Sequence, residues 1–163
     1  MPLAGQTVQG IHLVRPLGSG SHSVVYAAVS GSGQPCTVKV FRPDMHAHAQ
    51  REFRVAHPFS HPHVVRAYQA LLVGGAPALL MDYARGRTLF DRFAPQPLAG
   101  DQAAAFLQAV CGVLGALEYM HGLGLVHRDV KPENILVEAG GTAAWWTMTS
   151  QAQPARSLEA RCR

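Results

Sequence analysis

Lysine is almost absent from this chain. Of fourteen basic side chains in 163 residues only two are lysines, Lys39 and Lys131. Arginine carries the generic surface roles, so each lysine is expected where a compact ammonium is required rather than a planar fork. Cysteine is scarce too: Cys36, Cys111 and Cys162 are odd in number and far apart, with no CxxC pair among them. The pattern supports neither a disulfide framework nor a zinc site, and a reducing cytoplasm is the expected compartment. Charged residues make up only 15% of the chain, with a net charge of +4, part of it from Arg156, Arg161 and Arg163 against Glu159. No cations cluster on one element, so nucleic acid is not an expected partner. The apolar stretches are broken by Gly, Pro or polar residues, so no membrane segment is expected. The opening residues, Met1 to Thr7, lack the charged and apolar regions of a signal peptide.

What is present suffices for a globular core, with 48% of residues hydrophobic. Residues 11–17, 23–29 and 36–41 are rich in β-branched side chains and read as an antiparallel meander. A helical pattern follows over 46–56 and is broken by His57-Pro58 and His61-Pro62, because a residue before proline avoids the helical region. Further strands are expected near 63–72 and 77–83. Arg85-Gly86-Arg87 reads as a linker and a short helix is expected after Thr88. Asp101 is the expected N-cap of a long helix to about 121, with Phe106, Leu107, Val110, Leu114, Leu117 and Met120 as its apolar stripe. Strands with one helix, then helices, is an α+β order in two lobes. Cys36 and Cys111 are read as buried small residues. His57, His61 and His63 lack ligand spacing on a regular element, so they are read as turn residues rather than a metal site.

Three features carry chemistry. Leu17-Gly18-Ser19-Gly20-Ser21-His22-Ser23-Val24-Val25 lies between two strands. That placement argues against a dinucleotide fold, whose glycine loop opens a helix. A glycine hairpin can instead fold over polyphosphate, although a plain Gly/Ser turn has the same sequence. Lys39 on the third strand can pair with Glu52 on the following helix, an arrangement that would fix an ammonium over phosphates. An outward strand lysine and an exposed helix glutamate are the ordinary alternatives. Residues 127–134, His-Arg-Asp-Val-Lys-Pro-Glu-Asn, then pack a candidate base, a cation and a metal-binding amide into one loop.

In this order the motifs resemble the N-terminal part of eukaryotic-like (bacterial-type) Ser/Thr protein kinases over about 10–138. GxGxxGxV stands as Gly18, Gly20, Ser23 and Val25, and VAIK as Cys36-Thr37-Val38-Lys39. Leu79-Leu80-Met81-Asp82-Tyr83-Ala84 is similar to the hinge, and Lys131-Pro132-Glu133-Asn134 to the serine/threonine form of the catalytic loop. The resemblance implies a protein-kinase-like α+β fold, with a small five-stranded antiparallel N-lobe carrying one helix and an incomplete helical C-lobe. Its segments would be 1–10 as tail, 11–84 as N-lobe and hinge, 85–138 as partial C-lobe and 139–163 as a disordered or out-of-frame tail. It implies ATP and Mg2+ as cofactors and a protein substrate with Ser or Thr. Leu17 to Ser23, Val25, Lys39 and Glu52 would serve ATP, with Met81 at the gatekeeper place and the Asp82 to Ala84 backbone facing adenine. Asp129 would accept the substrate hydroxyl proton, Lys131 would stabilise the transferred group, and Asn134 would hold the metal. Arg128 would meet a phosphorylated activation loop.

After Ile135-Leu136-Val137 the pattern departs from the family. No Asp-Phe-Gly occurs; Glu138 is followed by a Gly/Ala segment and Trp145-Trp146-Thr147-Met148-Thr149. Trp and Met have one codon each, so this stretch back-translates in part. Read two bases later it encodes Val-Asp, then Asn, Asp, His or Tyr, then Asp, with the first aspartate across Trp146 and Thr147. The expectation is a shift of coding frame between about 138 and 145, with divergence into a short pseudokinase as the rival. For the chain as written, little or no activity is expected. A pseudokinase-like module binding nucleotide or a partner is the alternative function, and a non-functional gene product the other.

Overall fold

The computed structural model describes residues 3–94 and 98–138, and beyond them the backbone of Ala143–Trp145 and Gln153–Pro154. Contacts divide the chain into two compact units, Met1–Phe59 with Val65–Ala84, and Ser60–Val64 with Arg85–Arg163.

The first unit is an antiparallel sheet with one helix. Its strands are β1 (Thr7–Val8), β2 (Ile11–Ser19), β3 (Ser23–Val29), β4 (Pro35–Phe41), β5 (Ala67–Val73) and β6 (Ala76–Asp82), in the order β1-β2-β3-β4-β6-β5. The five expected strands are present, and a sixth, the two-residue β1, joins the edge of β2 through Thr7 to His12 and Val8 to Ile11. So short a strand has no sequence signal of its own. The strand expected from 63 starts only at Ala67 because a turn, Val64 N to His61 O at 3.0 Å, occupies the preceding residues. Helix α1 (His46–Ala56) ends where expected, at the residue before His57-Pro58. One sheet face packs Leu13, Tyr26, Val38, Val40, Leu71 and Val73 into a core. The opposite face is set by register. Val25, Lys39 and Leu79 stand abreast on it, as do Ala27, Thr37 and Met81.

The second unit holds β7 (Arg87–Thr88), α2 (Leu89–Phe93), α3 (Asp101–Gly122), β8 (Leu125–Val126), a 3-10 turn (Pro132–Asn134), β9 (Ile135–Val137), β10 (Ala143–Trp145) and β11 (Gln153–Pro154). Arg87, read from sequence as linker, belongs to a strand: β7 pairs with β9, whose other edge takes β10. Gly86 makes this possible at φ +115°, where a Cβ would lie 2.3 Å from Val137 O. β11 pairs with β8. Five residues of the segment read as a tail are thus in strands, and the rest of 139–163 lies outside the described residues.

Helix α3 departs from expectation in three respects. Asp101 is its first residue rather than its cap; Gly100 at φ 53° is the N-cap and no side chain bonds there. The buried stripe is Ala109, Gly112, Val113, Ala116 and Met120, whereas Leu107 and Leu114 are 61% and 58% exposed. Cys111, expected to be buried, is exposed on the same outward side. The reason is close packing. Gly112 admits the His63 ring, which a Cβ would meet at 3.0 Å, and His61 stacks on Tyr119 with ring centroids 5.2 Å apart. Small side chains face in because something large must approach. At 22 residues, with a mean hydropathy of 1.5 in its most apolar window, α3 is also long and apolar enough to cross a membrane by length and composition, which the sequence reading did not allow. In the structure it packs along β8 and β10.

Candidate active site

In the first unit the glycine loop is a tight hairpin. β2 runs through Gly18 and Ser19, paired with Val25 and Val24, and Gly20 N donates to Ser23 O at 2.8 Å to close the turn over Ser21 and His22. A register shift between Pro16 and Gly18 marks a bulge where the loop begins. Neither Gly18 nor Gly20 has a positive φ. A Cβ on Gly18 would meet nothing within 4 Å, and on Gly20 only Ser23 O at 4.0 Å. Neither conformation nor packing within the chain therefore demands these glycines, in contrast to Gly86. Both positions leave the backbone of the hairpin uncovered by side-chain carbon.

Lys39 does not point to solvent. Its Nζ donates to Glu52 Oε1 at 2.6 Å and lies 4.9 Å from the Phe41 ring centroid. The side chains are 13% and 1% exposed, so the pair is partly enclosed on the lysine side and sealed on the glutamate side. Burial pushes the Glu52 carboxyl above its ordinary range, and the Lys39 charge and hydrogen bond pull part of that rise back. Its second oxygen, Oε2, is buried with no hydrogen-bond partner among the described residues. Val25, Lys39 and Met81 lie on one face by register, with Met81 fully buried. Asp82 is held from behind: its carboxylate accepts from Arg66 N and the Tyr68 hydroxyl, and its own N–H donates to Arg66 O. Leu17 and the turn residues Ser21 and His22 are exposed, Ser23 half-buried, and Ala84 closes the unit. Thr37, abreast of Met81, has a buried hydroxyl without a partner among the described residues.

In the second unit the loop after β8 folds about Asp129. Asp129 N donates to Nδ1 of the buried His127 at 3.2 Å. Arg128 between them has φ 67°, a left-handed conformation that is costly for a residue with a Cβ and turns the chain sharply before Asp129. Asn134, buried on the 3-10 turn, donates from Nδ2 to both Asp129 O at 3.1 Å and Asp129 Oδ2 at 3.0 Å. With its nitrogen committed, the amide oxygen is the atom Asn134 can offer a cation. Lys131 Nζ stands 3.4 Å from the other Asp129 oxygen, Oδ1, and its side chain is half exposed. Asp129, Lys131 and Asn134 are thus brought together as the octapeptide's spacing implied. Within the first unit Lys39 and Glu52 are brought together as well.

Sequence reasoning missed two groups, the orphaned hydroxyl of Thr37 and His48, whose Nε2 is 3.8 Å from Glu52 Oε2. The spacing of His48 and Glu52, one helical turn apart, was a signal for the second. Nothing in the sequence pointed to the first.

Residues 11–144 match the protein kinase domain family. Serine/threonine-protein kinase pkn2 of Myxococcus xanthus is 35% identical over 132 residues, which is 77% of this chain and 16% of pkn2. CBL-interacting protein kinase 19 of Oryza sativa subsp. japonica is 34% identical over 136 residues, 79% of this chain and 26% of that kinase. The chain therefore spans a quarter or less of each, to within a percentage point. Among solved structures, the PpkA-294 apo form gives a TM-score of 0.78 at 18% identity, covering 88% of this chain and 60% of PpkA-294. Rad53 1-466 in complex with AMP-PNP gives 0.73 at 23% identity over 87% of this chain and 39% of Rad53. At such identities these two likenesses bear on the fold alone.

Proposed function

This chain belongs to the protein kinase domain family, and from that premise we propose that it carries the ATP-handling and catalytic-loop halves of a Ser/Thr protein kinase acting on protein hydroxyls. The observation that carries the reading is the catalytic loop, where one short segment supplies a carboxylate, an ammonium 3.4 Å from it and an amide locked to both its backbone and its side chain. In this reading Asp129 orients and accepts the proton of the substrate hydroxyl, its carboxylate held from one side by the Asn134 Nδ2 and accessible on the other. Lys131 neutralises charge on the group in transfer. Lys39 engages the phosphates, and Glu52 keeps its ammonium from turning away. The hairpin of Gly18 and Gly20 presents backbone to the phosphate oxygens with no Cβ in the way.

The donor chemistry suits a hard cation, since the Asn134 amide oxygen is a hard donor and Mg2+ favours one or two such protein ligands with phosphate and water completing its shell. Bound there, the ion would neutralise phosphate charge. No aspartate follows Asp129 in the sequence, so the family's Asp-Phe-Gly metal ligand is missing from the chain as written. That favours weak or absent phosphotransfer and supports a second reading, a nucleotide- or partner-binding module. A cytoplasmic setting is proposed for either, on the scarcity and wide spacing of cysteine in the sequence.

The test is a thermal-shift titration of the full chain with ATP and Mg2+, alongside phosphotransfer to a generic protein substrate. Stabilisation by ATP that is lost in Lys39→Met supports nucleotide binding. Transfer abolished by Asp129→Asn supports the kinase, and a shift without transfer supports the binding module. Folded protein with no nucleotide response refutes both.

A further inference from the structure

The buried carboxylate of Glu52 has two oxygens and Lys39 uses one. Oε1 receives the ammonium at 2.6 Å, while Oε2 is enclosed without a hydrogen-bond partner among the described residues. A buried acceptor left open costs free energy comparable with a lost hydrogen bond, so such an atom calls for a donor nearby. One stands on the same helix. His48 precedes Glu52 by one turn, and its Nε2 lies 3.8 Å from Oε2, within the range of a small side-chain adjustment.

The His48 ring is wedged rather than loose. It meets the Phe41 ring of β4 at 5.7 Å between centroids and the His22 ring of the glycine hairpin at 6.5 Å, edge to face. The charged and titratable groups around it are Lys39 from β4, His22 from the hairpin, and Arg51 and Glu52 from its own helix. Burial first, then the charges of Lys39, His22 and Arg51, hold its pKa below the ordinary histidine range. Neutral pH therefore finds it uncharged, with a single ring N–H to place on one nitrogen or the other.

We propose that His48 is a positioning residue for the Lys39–Glu52 pair, its Nε2–H serving as the second donor to Glu52 at the oxygen Lys39 leaves open. The carboxylate is then held from both sides, and Lys39 is presented in one orientation instead of several. The same ring, lying between Glu52 and His22, joins the helix to the tip of the glycine hairpin inside one compact unit. The functional consequence rests on the reading that Lys39 engages nucleotide; the hydrogen bond itself does not.

The experiment is ring-nitrogen NMR of the full chain at neutral pH, comparing the native protein with Glu52→Gln. In the native protein His48 is expected as the Nε2–H tautomer. In Glu52→Gln the amide oxygen stays with Lys39, which has only donors, so the NH2 takes the place of Oε2. It then faces His48 as a donor and forces the proton to Nδ1. A reversal of tautomer confirms the contact; the same tautomer in both proteins overturns the proposal, whatever the nucleotide result. The second arm compares ATP affinity in His48→Gln, which retains an N–H at similar reach, and His48→Leu, which does not. His48→Gln is expected within about twofold of native and His48→Leu roughly five- to tenfold weaker, the loss of one hydrogen bond. Native-like affinity in His48→Leu overturns the positioning role. If the native chain binds no ATP, the kinase reading fails and the tautomer reversal still decides the hydrogen bond.

Discussion

Replacing Lys39 by methionine tests the energetics of the site as directly as its function. The substitution keeps most of the aliphatic stem and removes the ammonium, leaving the Glu52 carboxylate buried with neither oxygen paired by a cation. Breaking a buried pair from one side costs about 3–5 kcal/mol, because an uncompensated charge stays behind. Lys39 retains some solvent contact, its side chain being 13% exposed, which places the expected loss near the lower end, about 3 kcal/mol. In the double variant Lys39→Met/Glu52→Gln no charge remains to be buried, and most of that loss is expected to return as a coupling of about 2 kcal/mol. The pH dependence follows from the direction of the Glu52 shift. Its folded-state pKa is already raised by burial, and without Lys39 it rises further. A raised folded-state pKa contributes stability below the unfolded carboxyl's titration range and loses it as pH rises through the folded value. The deficit of Lys39→Met is therefore small in acid, where Glu52 is protonated, and full at pH 8. Urea denaturation at several pH values measures this. A loss under about 1 kcal/mol with no dependence on pH would refute the account of a sealed carboxylate whose charge is balanced by Lys39.

Three further outcomes follow from the geometry. Gly18→Ala is expected to leave unfolding unchanged within about 0.5 kcal/mol while weakening ATP binding, since a Cβ there meets nothing in the chain; Gly86→Ala, whose Cβ would lie 2.3 Å from Val137 O at φ +115°, should cost about 3 kcal/mol in denaturant unfolding. Thr88 Oγ1 accepts from Asp91 N at 3.0 Å and caps α2, so Thr88→Ala should lower stability by about 1 kcal/mol by the same measurement. Sequencing the gene across codons 138–163 and several hundred bases beyond tests the frame shift: a frame two bases on that stays open and kinase-like downstream of the aspartate across Trp146 and Thr147 is expected, and the absence of such a frame would sink it.

Much of the site was legible because its chemistry is local in sequence. Asp129, Lys131 and Asn134 lie within six residues, so one loop conformation suffices to join them, and the rarity of lysine singled out both Lys39 and Lys131. The first three long strands showed through their β-branched residues, and α1 ended where His57-Pro58 required. The face of α3 was not legible. Apolar residues stand on nearly every side of it, so a helical period can be drawn through Leu107 and Leu114 or through Ala109, Gly112 and Ala116. Choosing between them needs the neighbour, a histidine ring that fits only against glycine. A stripe of small residues at helical spacing was the signal, and bulk was preferred to it.

Taken alone, the sequence determined which elements form and which residues can do chemistry, because propensity, turn residues and motif spacing act over a few positions. Tertiary structure alone decided that Lys39 turns inward to Glu52, that α3 buries its small side, that Gly86 is demanded by Val137 while Gly18 is demanded by nothing in the chain, and that one oxygen of Glu52 stays open beside His48. Each of these depends on what a side chain meets across the fold, and contact between distant residues is a property of packing that no local pattern encodes.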